Sequence, residues 1–268
     1  KKTMYGFSKL ESEKVLKSLN KRKGVNLKIL RIPNVYGKWC KPNYNSVVAT
    51  FCYNISKNKK IRIINKDKIL KLIYVDDLIQ QIYEVIKNKN KILYPKIVNT
   101  TKITVNELAL KIKNCSVYFK KNIYFDVNND FLKKLYSTYL SYVSSQNILK
   151  KIPKIKDNRG EFVEFAKQEK FGQVSYFSIN PLKKRGDHYH NTKLERFIVL
   201  SGKVKFNLQN LNDGLKKSII LDENKIIEIP PGWAHNIENL SKKKIYLIVW
   251  ANEVFDKLNP DTIRKIVL

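Results

Sequence analysis

Two stretches decide how this chain reads. One is Gly186-Asp187-His188-Tyr189-His190, followed by Glu195 and closed by Gly202; the other is Pro230-Pro231-Gly232-Trp233-Ala234-His235, with Asn239 soon after. Between them they hold all three histidines of the 268 residues. On a β-strand, His188 and His190 face the same side, because side chains alternate. Glu195 opens the next apolar run, Phe197 and Val199, and His235 arrives on a strand of its own. Three imidazoles and one carboxylate converging inside a β-barrel make a divalent-metal site, with His188, His190, Glu195 and His235 as ligands. Neutral imidazole nitrogen and carboxylate oxygen suit zinc, iron, manganese or nickel, and zinc is the expected ion. A lone histidine is more often a satisfied core residue; it is the clustering and spacing that argue for metal.

Around these stretches the texture is all-β. Val174 to Ile179, Phe197 to Leu200, Val204 to Leu208, Ile226 to Ile229 and Ile245 to Trp250 read as short strands. Gly202, Asn212-Asp213-Gly214, Asp222-Glu223-Asn224 and Pro230-Pro231-Gly232 supply the breaks between them, the pattern of a sandwich or barrel. Before about residue 151 the chain alternates helices and strands instead, which predicts a layered, largely parallel α/β sheet. Leu10 to Leu19 is helical and stopped by Gly24, and Val25 to Ile32 reads as a buried strand ended by Pro33. Val47, Val48, Phe51, Cys52 and Ile55 repeat at helical spacing. Asp76 or Asp77 caps a helix carrying Leu78, Ile79, Ile82, Val85 and Ile86, and Thr104 with Glu107 forms a capping box. The boundary falls between Asn128 and Pro153, through an amphipathic helix around Leu135 and Tyr139. The expected division is residues 1–150 and 151–268.

The bulk numbers exclude several classes. A hydrophobic fraction of 43% allows sizeable cores, and no apolar run approaches the roughly 18 residues of a membrane span. Membrane insertion is therefore not expected. Cys40, Cys52 and Cys115 are odd in number and scattered, as reduced thiols in a cytoplasm would be. A net charge of +30 invites a nucleic-acid reading, but seven of the 53 cations are Arg and the rest are Lys spread along the whole chain. Lys is the weaker choice for bidentate readout, so no specific nucleic-acid partner is expected.

Near the start, Tyr5 and Lys9 stand one helical turn apart, where an ammonium can favour phenolate and let the phenol exchange a proton with a substrate oxygen. Alone this spacing is weak in a Lys-rich chain. Downstream follow Arg31-Ile32-Pro33-Asn34-Val35-Tyr36-Gly37 and Tyr74-Val75-Asp76-Asp77, in order and at matching spacing. Together they resemble the extended short-chain dehydrogenase/reductase (SDR) superfamily, whose fold is an NAD(P)-binding Rossmann domain. The resemblance implies that Tyr5 is the general acid for ketone reduction and that Lys9 holds the nicotinamide ribose of NADP(H). It places Asn34 between cofactor and substrate, and Lys41, Asn43, Tyr44 and Asn45 against a nucleotide-sugar. Lys71 stands where many relatives keep an Arg for phosphate. The superfamily's glycine-rich phosphate loop, and the Ser or Thr before the Tyr, are not found in this chain, so it reads as the C-terminal portion of such a domain.

The histidine stretches resemble the cupin superfamily: Gly186, His188, His190, Glu195 and Gly202 match its first motif, and Pro230, Gly232, His235 and Asn239 its second. Asn224 replaces the glycine that usually opens the second motif. Asp157-Asn158-Arg159-Gly160-Glu161-Phe162 and Arg185-Gly186-Asp187-His188-Tyr189-His190 look like the deoxysugar 3,5-epimerase branch, in which a His at the position of His188 is a base. An SDR portion followed by a cupin β-barrel (jelly roll) is similar to the bifunctional enzymes of capsular polysaccharide synthesis that act as UDP-2-acetamido-2,6-dideoxy-hexulose reductases. Further matching strings are Gly37-Lys38-Trp39-Cys40-Lys41-Pro42-Asn43-Tyr44-Asn45-Ser46 and Lys134-Leu135-Tyr136-Ser137-Thr138-Tyr139.

That resemblance implies an epimerisation beside the ketone of a UDP-linked keto-deoxyhexosamine by the cupin, then NADPH-dependent reduction by the SDR portion. The product would be a 6-deoxysugar of the N-acetyl-L-talosamine or fucosamine type. It also implies a cytoplasmic homodimer joined through the cupin. Asp157 and Arg159 are candidates to hold the diphosphate. If the histidines bind metal, the base is another group, with Tyr189, Lys183 and Tyr246 as candidates; if they do not, it is His188. A metal cupin of the oxidase or dioxygenase kind shares the same four ligands and remains an alternative, as does a basic nucleic-acid-binding module.

Overall fold

The computed structural model of the protein describes residues 3–19, 25–90, 92–121, 123–124, 128–147, 149, 151–168, 170–223 and 225–267. Gly24 and Asn224, invoked above as breaks, lie outside the described residues. The chain divides into two compact units, Lys1–Ser116 with Val127–Ser145, and Val117–Asp126 with Gln146–Leu268.

The first unit is α/β. Its elements are α1 (Met4–Leu19), β1 (Asn34–Tyr36), α2 (Val47–Ser56), β2 (Ile69–Tyr74), α3 (Val75–Lys87), β3 (Thr101–Thr104), α4 (Val105–Lys121, which runs on into the second unit) and α5 (Asp130–Leu140). The strands form one sheet in the order β1-β2-β3, with β1 parallel and β3 antiparallel to β2. Helix starts are legible in the side chains. Ser46 accepts the amide of Ala49 at 3.2 Å, Asn129 that of Leu132 at 2.9 Å, and Thr104 and Glu107 exchange the reciprocal bonds of a capping box.

Two local expectations are corrected. The residue before α3 is Tyr74, with no side-chain cap bond, and Asp76 and Asp77 sit inside the first turn, where carboxylates oppose the positive end of the helix dipole. Residues 25–33 form no strand; the amide of Ile29 reaches Leu93 O at 2.7 Å, but no ladder builds on it, and pairing begins only at Asn34.

The second unit carries β4 (Ile155–Asp157), β5 (Gly160–Gln168), β6 (Gly172–Ile179), β7 (Lys184–Tyr189), β8 (Glu195–Ser201), β9 (Val204–Asn210), β10 (Lys216–Leu221), β11 (Ile226–Ile229), β12 (Trp233–Asn239), β13 (Ile245–Ala251) and β14 (Ile263–Arg264). They build two antiparallel sheets, ordered β10-β9-β12-β7-β14 and β11-β8-β13-β6-β5-β4. Among the described residues the hydrogen-bonded ladders do not close on one another, so the unit is a two-sheet sandwich, the jelly-roll form of the sandwich or barrel that the sequence predicts. Its core interleaves both sheets: Phe177, Phe197, Val199 and Leu247 from one meet Val204, Phe206, Leu208 and Ile237 from the other. Each such side chain, fully buried, stabilises the fold by about 1.5–3 kcal/mol. Asn239, almost fully buried, fastens the end of β12, donating to Ile179 O, Asn180 O and Lys243 O at 2.9, 3.2 and 2.8 Å.

Candidate metal centre

The site lies inside the second unit, where the sheets face each other. β7 and β12 bring His188 and His235 from the five-stranded sheet, and the first residue of β8 brings Glu195 from the six-stranded one. His188 and His235 pair directly across the β7–β12 ladder. One ligand atom from each of His188, Glu195 and His235 lies within 4.8 Å of the others. His190, just past β7, stands beside this trio and meets it through Glu195: its ring centroid is 4.9 Å from that of His188 and 6.1 Å from that of His235.

The bonds of these rings define what they offer. His190 Nδ1 contacts the carbonyl oxygen of Asp261, and His235 Nδ1 that of Trp233 at 3.4 Å. A carbonyl only accepts, so in both rings Nδ1 carries the proton and Nε2 is left with a lone pair. Both Nε2 atoms point at one oxygen, Glu195 Oε2, at 3.2 Å each. Yet Glu195 Oε2 and His190 Nε2 are buried without a hydrogen-bond partner. Acceptors this close repel unless a cation stands among them. The donor set therefore fits a divalent metal, and backbone carbonyls holding the distal ring nitrogens are the usual support of metal-bound histidine. Without metal, a proton must serve instead. Burial opposes charging His190, but the adjoining Glu195 outweighs it and raises that pKa; burial likewise opposes ionising Glu195, and His190 and His235 outweigh it and hold its carboxyl far down. His188 is pushed down to about 4, chiefly by burial and then by His235, so it is neutral at pH 7.

The cluster opens into a cavity of about 300 Å³ lined by His188, Glu195, His235, Phe197, Arg159 and Arg185, among others. Arg159 was expected; Arg185 was not. Alternation along β7 would turn it away from His188. A bulge at Gly186–Asp187 resets the phase, because His235 pairs with His188 while Asn236 pairs with Gly186. Asp157 does not line this cavity. It binds the two arginines that do: Arg159 through Nε at 3.0 Å and Nη2 at 2.6 Å, and Arg185 through Nη2 at 3.3 Å. Asp157 is thereby held at about 2, through the Arg159 bond against the opposing effect of burial. Tyr189, Lys183 and Tyr246, the alternative bases, are absent from the cavity lining.

In the first unit, Tyr5 and Lys9 share one face of α1, with Lys9 Nζ 5.4 Å from the Tyr5 ring centroid, and Tyr5 is exposed. Asn34 donates to Lys71 O at 3.1 Å, and Lys41 Nζ lies 5.5 Å from the Tyr44 ring. Asn43 takes a left-handed backbone (φ 54°), its amide bonded to Thr50 Oγ1, and Asn45 is exposed beside it. None of these residues lines the unit's own cavity of about 470 Å³. That cavity is bounded instead by Tyr36, Tyr74, Phe131 and the Lys134 ammonium, which bridges Asp77 and Asp130 at 2.7 and 2.5 Å. The sequence reading missed this ionic cluster. No described helix is long and apolar enough to cross a membrane.

Residues 1–100 match the model of the NAD dependent epimerase/dehydratase family, and residues 155–263 that of the polysaccharide biosynthesis C-terminal domain. A UDP-2-acetamido-2,6-β-L-arabino-hexul-4-ose reductase of Pseudomonas aeruginosa is 38% identical over 261 residues, 96% of this chain and 70% of that protein. Among solved structures, the capsular polysaccharide assembling protein CapF of Staphylococcus aureus superposes with a TM-score of 0.89 at 37% identity, covering 100% of this chain and 73% of that one. CapF with the inhibitor 3-isopropenyl-tropolone superposes at 0.86, also at 37% identity, over 95% of this chain and 75% of that one.

Proposed function

This chain belongs to the family of the UDP-2-acetamido-2,6-β-L-arabino-hexul-4-ose reductase and CapF, nucleotide-sugar-modifying enzymes of polysaccharide synthesis, and from that premise we propose a two-part reaction on a UDP-linked 4-keto-6-deoxy-N-acetylhexosamine. The cupin, residues 151–268, removes and returns the proton at C3, beside the ketone. The SDR portion, residues 1–150, reduces the C4 ketone with NADPH, Tyr5 giving the oxygen its proton while Lys9 holds the ribose and Asn34, Lys41, Asn43, Tyr44, Asn45 and Lys71 hold the substrate. The protein acts in the cytoplasm as a homodimer joined through the cupin.

One observation carries the cupin assignment: two imidazole Nε2 atoms meet a single buried carboxylate oxygen, each at 3.2 Å, at the wall of a cavity holding two arginines. His188, His190, Glu195 and His235 would hold a divalent ion, zinc by donor chemistry. Such an ion would supply positive charge beside the ketone oxygen when the C3 proton is removed. Arg159 and Arg185 bind the substrate's diphosphate, kept in place by Asp157, and Phe162, Phe177 and Phe197 exclude water from the reacting carbon.

The test is proton exchange at C3 of the UDP-keto-sugar in heavy water, without NADPH, before and after chelation. Exchange abolished by chelator and restored by zinc is expected. Exchange that survives chelation would assign the proton transfer to His188 alone, and absence of exchange in the metal-loaded protein would remove the epimerase.

A further inference from the structure

We infer that Asp261, some seventy residues beyond the first histidine stretch, is a positioning residue of the metal centre that selects the metal-binding tautomer of His190; the inference rests on the metal reading above.

The Asp261 carboxylate gathers three consecutive backbone amides, from Asn191 at 2.9 Å, Thr192 at 2.8 Å and Lys193 at 3.1 Å, together with the Thr192 hydroxyl at 3.2 Å. These residues follow His190 directly, so one side chain fixes the turn between β7 and β8, which carry His188 and Glu195. The same residue's carbonyl receives the Nδ1 proton of His190. The strand that follows continues the attachment. Ile263 and Arg264 pair with Tyr189 and His188, and the amide of Lys265 donates to Asp187 O at 2.8 Å. Val267, almost fully buried, donates its amide to Asp187 Oδ1 at 3.2 Å and accepts Asn236 Nδ2 at 2.8 Å. Residues 261–267 are thus bound to both histidine-bearing strands.

The chemical consequence lies in the His190 ring. With its proton on Nδ1, Nε2 presents a lone pair toward Glu195 Oε2, an arrangement that calls for a cation. With the proton on Nε2, the ring would donate to that oxygen instead, and the pair would satisfy itself as an ordinary hydrogen bond, closing one side of the site. The Asp261 carbonyl, an acceptor only, rules out the second state as long as the carboxylate keeps it in place.

The test uses the full chain with 15N-labelled histidine, metal-free at pH 8, where long-range 1H–15N spectra report each ring's protonated nitrogen. Zinc titration of the same samples follows. In the parent protein His190 Nδ1 should be protonated both before and after zinc is added. Asp261→Ala should shift it toward Nε2–H and weaken zinc binding about 10–100-fold, the range for losing a residue that supports a metal ligand. Asp261→Asn, which keeps one accepting oxygen, should fall between; it carries the comparison if the alanine variant does not fold by circular dichroism. An unchanged tautomer and unchanged zinc affinity in a folded Asp261 variant overturn the inference. A parent protein that binds no zinc, yet loses its Nδ1–H form on substitution, overturns the metal reading and leaves the role of Asp261 standing.

Discussion

Asn236 donates its side-chain amide to Asp187 Oδ1 at 2.8 Å, across the two strands that carry His235 and His188. Asp187 is the extra residue of the β7 bulge and takes a left-handed backbone, φ 61°. The bond satisfies a side chain that the bulge would otherwise leave between strands, and it fixes the phase shift that turns Arg185 and His188 into one cavity.

The bulge depends on Gly186. Its φ is 101°, and a Cβ there would stand 2.7 Å from His235 O and 2.8 Å from the Asn236 Cα. Backbone cannot yield as a flexible side chain can. Gly186→Ala should therefore destabilise the second unit by about 1–3 kcal/mol, as residues forced into such conformations do, and should also weaken zinc binding. Urea denaturation and zinc titration check the two effects. A variant as stable as the parent would mean that the bulge relaxes without Gly186.

Glu195 should dominate metal binding. Its Oε2 is the atom that two imidazoles share, and it is buried without a hydrogen bond. Glu195→Gln keeps the volume but turns a charged acceptor into a neutral amide. Zinc affinity should drop by more than the roughly 10–100-fold that follows loss of a supporting residue. Equilibrium dialysis measures it, and parent-like affinity in the glutamine variant would take Glu195 out of the ligand set.

Much of this was legible in the sequence, and what was not has physical reasons. The strands bearing Val174, Phe197, Val204, Ile226 and Ile245 showed themselves through apolar runs bounded by turn residues, a local signal. The convergence of His188, Glu195 and His235 followed from motif spacing. The orientation of Arg185 did not, because a bulge changes phase without changing composition. Asp261 was invisible, since its partners at Asn191, Thr192 and Lys193 are far away in sequence and no local pattern sets this Asp apart from others. Residues 25–33 misled for the opposite reason: their apolar run is genuine, but a strand exists only where a partner completes its ladder.

Packing between the sheets predicts a large effect at Phe206. The ring is fully buried on β9 and meets Phe197, from the opposite sheet and lining the cavity beside the histidines, at 5.5 Å between centroids. Phe206→Ala should destabilise the second unit by about 3–5 kcal/mol, the transfer and cavity contributions adding. Calorimetry should show the loss in the transition of that unit. A shift of under about 1 kcal/mol, the size of surface substitutions, would mean the sheets repack around the void.

Asp157 gives a pH dependence of definite sign. In the folded protein its pKa is about 2, against about 3.9 in an unfolded chain. The folded state thus holds this proton less tightly, so the contribution is fully present above about pH 4 and is lost as pH falls through 2. The side chain is one-third exposed and the effect is screened, so it should be modest. The stability difference between the parent and Asp157→Asn should be larger at pH 5 than at pH 2.5. A difference that stays constant across that interval would mean the Arg159 pair does not persist in solution.

Arg185 separates binding from proton transfer. It lines the cavity beside His188 and His235, yet its Nη2 is tethered to Asp157 at 3.3 Å and its Nε to Ser178 O at 3.1 Å, so the guanidinium is fixed before substrate arrives. A fork held in this way suits a diphosphate, whose charge is the same before and after the C3 proton leaves. Its loss should therefore weaken ground state and transition state alike, raising KM with kcat little changed. Charge-assisted contacts contribute about 1.5–3 kcal/mol, so Arg185→Ala should raise KM for C3 exchange about 10–150-fold. Arg185→Lys should recover only part of that, because an ammonium cannot keep both tethers and still present two donors. Steady-state exchange rates on the UDP-keto-sugar measure both constants. A fall in kcat at unchanged KM would move Arg185 from the diphosphate to the enolate, because only a group facing the developing charge can act on the proton-transfer step without acting on binding.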